Sequence, residues 1–309
     1  MGTKRVSFLV CVFVCLVSTM VLGTTKIWAF FVANGQPVRA SDYPWQVALR
    51  INPDSNGFRC GGVLVGSQFV VTAAHCVDIG DAFDQSVVRS IRTRHIRVYH
   101  GSEIFGQGRE LVVDPDWPVR IHPNWKTDSE HPLGYDVAVF KLAEPHGVAE
   151  TAQLPSVNYS SGDAVVSGWG AFDDTDKTSE ILLAAQLTLL PLSECRQTVG
   201  PEMAREISDQ MLCASSSFQD ACGGDSGGPL VMGSKIRPVL VGIVSWGAAK
   251  PCGTAMYNGA LVGIYTRSFS VADWLYSVTG DPNLIRMDQS PIPETFAIVP
   301  IERGETASE

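Results

Sequence analysis

The sequence is short of positive charge. Lys and Arg total 23 against 32 Asp and Glu, a formal net charge of −9. A domain that grips nucleic acid carries the opposite sign, so no nucleic-acid partner is expected. Long apolar runs are scarce as well. After Leu22 no stretch is long enough to span a bilayer, and no stable membrane anchor is expected in the body of the chain. No Cys-x-x-Cys pair occurs, which removes the usual ligand spacing of a structural zinc site. No metal and no other cofactor is expected. There is no internal repeat, and charged residues are sparse at 18% against 45% hydrophobic, the balance of a globular chain with a core.

The one long apolar run opens the chain. Lys4 and Arg5 precede Val6 to Leu22, and Val21 and Gly23 suit the −3 and −1 positions of a cleavage site. Residues 1–23 therefore read as a secretory signal peptide and the product as secreted, extracellular or periplasmic. An uncleaved anchor is the competing reading, for which the run is somewhat short. Cys11 and Cys15 lie inside this segment, leaving Cys60, Cys76, Cys195, Cys213, Cys222 and Cys252. An even number in an exported chain points to three disulfides, and six cysteines allow fifteen pairings.

Glycine is plentiful, with 29 residues. Short alternating or β-branched segments are separated by Gly, Pro, Asp and Ser. They include WQVALRI (45–51), GGVLVGSQFVVTAA (61–74), IRVYHG (96–101), DVAVFKL (136–142), DAVVSGWG (163–170), PVLVGIVSWG (238–247) and VGIYTR (262–267). This spacing predicts an all-β sandwich or barrel. SFSVADWLYSV (268–278) reads as a late helix, capped by Ser268 or Ser270 and stopped by Gly280 and Pro282. Residues 279–309 are proline-bearing and acidic. They read as a flexible tail, with a docked extension or a processed tail as alternatives.

Three stretches carry chemistry: TAAHC with His75, YDVAVFKL with Asp136, and DACGGDSGGPL with Ser226. A serine hydroxyl is a poor nucleophile near neutrality. It needs a base, usually His, whose tautomer a third group fixes. Gly223, Gly224, Gly227 and Gly228 flank Ser226 and can turn amide N–H groups toward a developing oxyanion.

In these motifs, and in GWG, SWG and GIYTR in the same order, the chain resembles the trypsin-like serine proteases of the chymotrypsin family over about residues 32–278. The resemblance implies two antiparallel six-stranded β-barrels, about 32–147 and 148–267, with the active site in the cleft between them and a C-terminal helix. It implies Ser226 as nucleophile, His75 as general base and then acid, Asp136 as orienting carboxylate, and the amides of Gly224 and Ser226 as the oxyanion hole. It pairs Cys60 with Cys76, Cys195 with Cys213, and Cys222 with Cys252. Asp220 stands at the floor of the specificity pocket and Gly247 and Gly263 at its walls, which implies cleavage after Arg or Lys. Ser245, Trp246 and Gly247 would hold the substrate backbone. Implied partners are protein or peptide substrates, protein protease inhibitors and an activating protease.

The same resemblance makes the mature N-terminus matter, because its ammonium would pair with Asp225. The family's spacing puts it at Val32, after a short propeptide 24–31. Phe31 precedes it where relatives usually have Arg or Lys, and Ala33 and Asn34 stand where Val and Gly are commoner. Cutting after Phe31 by an activator with aromatic preference, cutting after Lys26 to expose Ile27, and trimming without a defined N-terminus all stay open. A further reading from another class is a protease-like protein that binds partners without cleaving. The loop 248–251 is about two residues longer than in trypsin, with Lys250 near the pocket mouth or simply solvated. The basic stretch 88–98 reads as a solvated strand face or as a rim preferring acidic substrate residues. Asn158-Tyr159-Ser160 is a glycosylation sequon, and Ser102 stands where a calcium loop needs a carboxylate.

Overall fold

The computed structural model describes residues 34–54, 57–80, 89–126, 134–171, 177–247, 259–284 and 294–301. Residues 1–33, including Val32, lie outside the described residues, as do the 248–251 loop and Cys252. Fourteen strands and two α-helices occur in the described residues. The strands are β1 (Gln36–Pro37), β2 (Gln46–Ile51), β3 (Phe58–Val65), β4 (Phe69–Thr72), β5 (Ile96–His100), β6 (Arg109–Leu111), β7 (Arg120–Ile121) and β8 (Ala138–Lys141), then β9 (Gly162–Gly168), β10 (Leu183–Leu190), β11 (Met211–Ser216), β12 (Pro229–Ser234), β13 (Arg237–Gly247) and β14 (Leu261–Arg267). The helices are α1 (Leu192–Thr198) and α2 (Ser268–Thr279).

Two antiparallel sheets result, each of seven strands. The second has the order β1-β10-β11-β14-β13-β12-β9, and β9 also pairs with β10, so six strands close into a barrel with β1 attached outside. The first has the order β6-β5-β2-β3-β4-β8-β7. It curls until the chain after β6 meets the end of β8, where Asp114 N donates to Lys141 O and Ala143 N to Val112 O, both at 2.9 Å. The all-β expectation thus holds. Each sheet carries one strand more than expected, and β1, the start of the N-terminal arm, belongs to the second sheet rather than the first.

Alternation along β2 shows how the sequence fills this frame. Val47, Leu49 and Ile51 point into the interior of the first sheet, Ala48 joins a core that touches both sheets, and Arg50 is exposed. The second barrel holds Ala164, Val166, Leu187, Leu212 and Leu230. Between the sheets lies a third cluster, with Trp45, Val63 and Val71 from one side and Val165, Leu240 and Ile243 from the other. Ser167 Oγ donates to Gln46 Oε1 at 2.7 Å across this seam, with both residues buried.

Helix α2 packs Val271, Ala272 and Leu275 onto the shared cluster. Gly280 ends it in the left-handed region at φ 65°, donating to Tyr276 O at 2.8 Å. Its start corrects the expected capping. Among the described residues, Arg267 is the cap residue and no side chain caps the helix, and Ser268 is buried in the first turn with its hydroxyl unpartnered. Residues 294–301 are docked. Phe296 sits edge-on to Tyr43 and Trp45 and donates its N–H to Gly233 O at 3.0 Å, and Ile301 N donates to Pro37 O at 3.0 Å. Of the alternatives for the tail, a docked extension describes this part. No helix among the described residues is long and apolar enough to cross a membrane.

Candidate active site

His75 sits in the single turn Ala74–Cys76 that follows β4. The Cys60–Cys76 disulfide ties this turn to β3. Thr72 of β4 lies opposite Ala138 of β8, so the residues just beyond each strand meet. Asp136 accepts from the His75 backbone N–H through Oδ1 at 3.0 Å, and its Oδ2 lies 2.8 Å from His75 Nδ1. Asp136 is 1% exposed. With Nδ1–H directed at a carboxylate, the lone pair of the neutral ring is on Nε2.

A third donor completes the carboxylate. Ser245 Oγ, from β13 of the second barrel, donates to Asp136 Oδ2 at 2.5 Å, and Thr266 Oγ1 donates to the Asp136 carbonyl at 2.8 Å. Burial alone would raise Asp136, but the charge and hydrogen bond of His75, with the bonds from Ser245 and the His75 amide, hold it below the ordinary carboxylate range. Burial pulls His75 down, and the Asp136 charge and hydrogen bond more than offset this, leaving it above 6.5.

Ser226 comes from the second barrel, in the loop before β12. Gly227 N donates to Val244 O at 2.8 Å and Val244 N to Gly228 O at 2.9 Å, which fixes the turn beside Ser245. On its other side, Gly61 N donates to the Ser226 carbonyl at 2.8 Å, and Cys76 Sγ lies 3.6 Å from that oxygen. Ser226 therefore stands next to the His75 turn. Gly227 makes this approach possible. Its φ is +79°, and a Cβ there would lie 2.1 Å from Thr72 Oγ1.

Gly224, two residues before Ser226, has φ +96°. Its loop is held by Asp225, whose carboxylate accepts from Cys222 N at 3.0 Å and Gly170 N at 2.7 Å. Asp225 is fully buried, and burial, partly offset by these amides, raises it to about 6. It has no cationic partner among the described residues. The N-terminal arm nevertheless comes close in sequence: Asn34 Nδ2 donates to Phe218 O at 2.5 Å, and Gln219 Nε2 donates to Asn34 O at 2.9 Å. Asn34 adopts φ 66°, a left-handed conformation that Asn tolerates.

The pocket residues also converge. Gly247 of β13 lies directly opposite Gly263 of β14, with Trp246 opposite Ile264. A Cβ on Gly263 would fall 2.6 Å from Asp220 Oδ1 and 2.9 Å from the Tyr265 hydroxyl, so only glycine lets β14 approach Asp220 this closely. Asp220 is 6% exposed and accepts from Ala221 N at 2.8 Å. Burial raises it to about 8, against the pull of that amide and with help from the Asp225 charge. The Tyr265 hydroxyl is buried without a hydrogen-bond partner among the described residues.

Among the described residues two disulfides are complete, Cys60–Cys76 and Cys195–Cys213. Cys222 is disulfide-bonded, and its expected partner Cys252 lies outside the described residues. In the basic stretch, Arg89, Arg92 and Arg94 are exposed, and Arg97 Nε lies 3.6 Å from Glu110 Oε1. Sequence reading missed two contributions, the Ser245 hydroxyl and Thr266. Both motifs containing them were visible, but each acts on a residue more than a hundred positions away.

A family model described as Trypsin matches residues 32–275. The chain is 32% identical to serine protease Hayan of Drosophila melanogaster over 82% of its length and 39% of that protein's. It is 31% identical to the vitamin K-dependent protein C of Mus musculus, over 81% of this chain and 52% of that one. It thus spans about half or less of these curated relatives. Among solved structures it is similar to HL collagenase, with a TM-score of 0.61, 26% identity, and 80% of this chain and 98% of that one covered. The chain belongs to the trypsin family.

Proposed function

We propose that the protein is a secreted serine endopeptidase that cleaves after Arg or Lys by way of an acyl-enzyme. One observation carries the reading. A buried carboxylate, Asp136, holds His75 by both its backbone N–H and its Nδ1, beside a glycine turn bearing Ser226. In this reading Ser226 Oγ attacks the scissile carbonyl and passes its proton to His75 Nε2, while the N–H groups of Gly224 and Ser226 receive the oxyanion. His75 then protonates the leaving amine. Water attacks the acyl-enzyme, again with His75 as base.

The specificity rests on Asp220. A buried carboxylate with one backbone donor lies behind two facing glycines, and a guanidinium or ammonium would satisfy it. Ser245, Trp246 and Gly247 would pair with the substrate backbone. Residues 32–278 form the catalytic domain, exported by residues 1–23 and released from the propeptide 24–31 by an activating protease. The new ammonium at Val32 then pairs with Asp225. Protein inhibitors compete for the same cleft. Support for the activation step comes from the arm, which is bound at Asn34 by the chain leading to Asp220 and Asp225.

The test combines N-terminal mass spectrometry of the secreted protein with hydrolysis of an Arg-containing reporter and labelling by a serine-reactive phosphonate. A start at Val32, turnover after Arg and labelling lost in Ser226→Ala are expected. A correctly processed protein that neither labels nor cleaves would overturn the enzymatic reading in favour of a binding protein.

A further inference from the structure

Strand register brings three arginines together. Arg50 of β2 lies directly opposite Arg59 of β3 and directly opposite Arg97 of β5. Residues opposite one another share a face, and this face is the outer one, since Leu49 and Ile51 point inward. Like charges directly opposite one another destabilise a sheet, and this chain is acidic overall. The row is only partly neutralised. Arg59 Nη2 lies 2.6 Å from Glu180 Oε1, and Arg97 Nε lies 3.6 Å from Glu110 Oε1. Both carboxylates are largely solvent-exposed, at 63% and 49%, so another anion could replace them at little cost. Arg50 has no carboxylate partner among the described residues. Its guanidinium rests 5.5 Å from the Phe105 ring centre, whose ring also carries Arg59 at 4.2 Å.

The row is continuous with the cleft. A groove lined by Phe58, Arg59, Ala171, Thr178, Gly223 and Gly224 runs from the oxyanion loop to Arg59. In the reading above, Asp220 and Ser245–Gly247 take the residues up to the scissile bond. The groove is left for those that follow it. We propose that Arg59, Arg50 and Arg97 form a docking row for an acidic peptide stretch on the leaving-group side of the substrate. This rests on the endopeptidase reading above. An extended peptide presents same-face side chains about 7 Å apart, and two strand spacings amount to about 10 Å, so carboxylates two residues apart reach along the row.

The experiment uses the mature protein and two peptides identical up to the scissile Arg. One carries Asp and Glu at the third to sixth positions after the bond, and the other carries Asn and Gln there. The acidic peptide is expected to be cleaved with a kcat/KM about tenfold higher, an advantage that shrinks with salt. In R50E/R97E the advantage disappears or reverses, while hydrolysis of a reporter with no residues after the bond is unchanged, which also shows that the variant folds. Equal rates on both peptides, or an advantage that survives the double variant, would overturn the proposal. Anisotropy of the labelled acidic peptide with Ser226→Ala reads docking without turnover. Binding there with no cleavage of any reporter by the mature protein would uphold the row and sink the endopeptidase reading. Binding of a sulfated oligosaccharide but not of the acidic peptide would overturn the row as a peptide site.

Discussion

The Ser245 hydroxyl donates to Asp136 Oδ2, the oxygen that also faces His75 Nδ1, so its removal takes one of several donors from a buried carboxylate. Ser245→Ala is expected to lower kcat/KM about tenfold, the scale of one lost hydrogen bond to a buried charge. Asp136→Asn removes the charge and the tautomer control together and is expected to lower kcat about ten-thousandfold. The pH profile separates the two. In the proposed mechanism catalysis needs neutral His75, whose pKa lies above 6.5 because of Asp136. The acid limb of kcat/KM should therefore fall above pH 6.5 in the parent protein and move to lower pH in Asp136→Asn. Asp220 gives a second pH test. It must ionise to hold a cation, and burial places it at about 8. Binding of an aromatic amidinium, followed by calorimetry, should strengthen by up to about tenfold per unit between pH 6 and 8 and level off above. Asp220→Asn should bind weakly, without that dependence.

Among the elements, the docked stretch 294–301 offers a stability test. Phe296 is half-buried against Tyr43 and Trp45, with Lys235 Nζ 5.9 Å from its ring centre. Phe296→Ala is expected to cost about 2 kcal/mol, less than the ~3–5 kcal/mol of a fully buried phenylalanine, read as a lower Tm. Elements differed in how plainly the sequence announced them. Strands β2, β4, β5, β8, β13 and β14 alternate or run β-branched, and α2 has its glycine stop. Strand β10, LAAQLTLL, did not announce itself, because Leu and Ala favour helix in isolation. It is a strand because β9 and β11 pair with it on either side. Two-residue strands such as β1 and β7 carry no period at all. The same limit hid the arginine row. Motifs made His75, Asp136 and Ser226 legible, whereas the meeting of Arg50 with Arg59 and Arg97 exists only in the register.

At the scale of the whole molecule, the arm and the second barrel are joined before Val32 is reached. β1 pairs with β10, and Ile301 N donates to Pro37 O. A chain starting at Val32 is expected to hydrolyse the Arg reporter at least about a hundredfold faster than one retaining residues 24–31, the scale of a buried charge left unpaired at Asp225. Asp225→Asn should erase most of that difference. His75 and Asp136 come from the first sheet, and Ser226, Ser245 and Asp220 from the second. The seam between the sheets is held by the Trp45 and Leu240 cluster and by the Ser167–Gln46 bond. A small parting there separates Ser226 from His75 while every strand keeps its ladder. On warming, hydrolysis should fade before circular dichroism registers any melting, so turnover is the finer thermometer of this molecule.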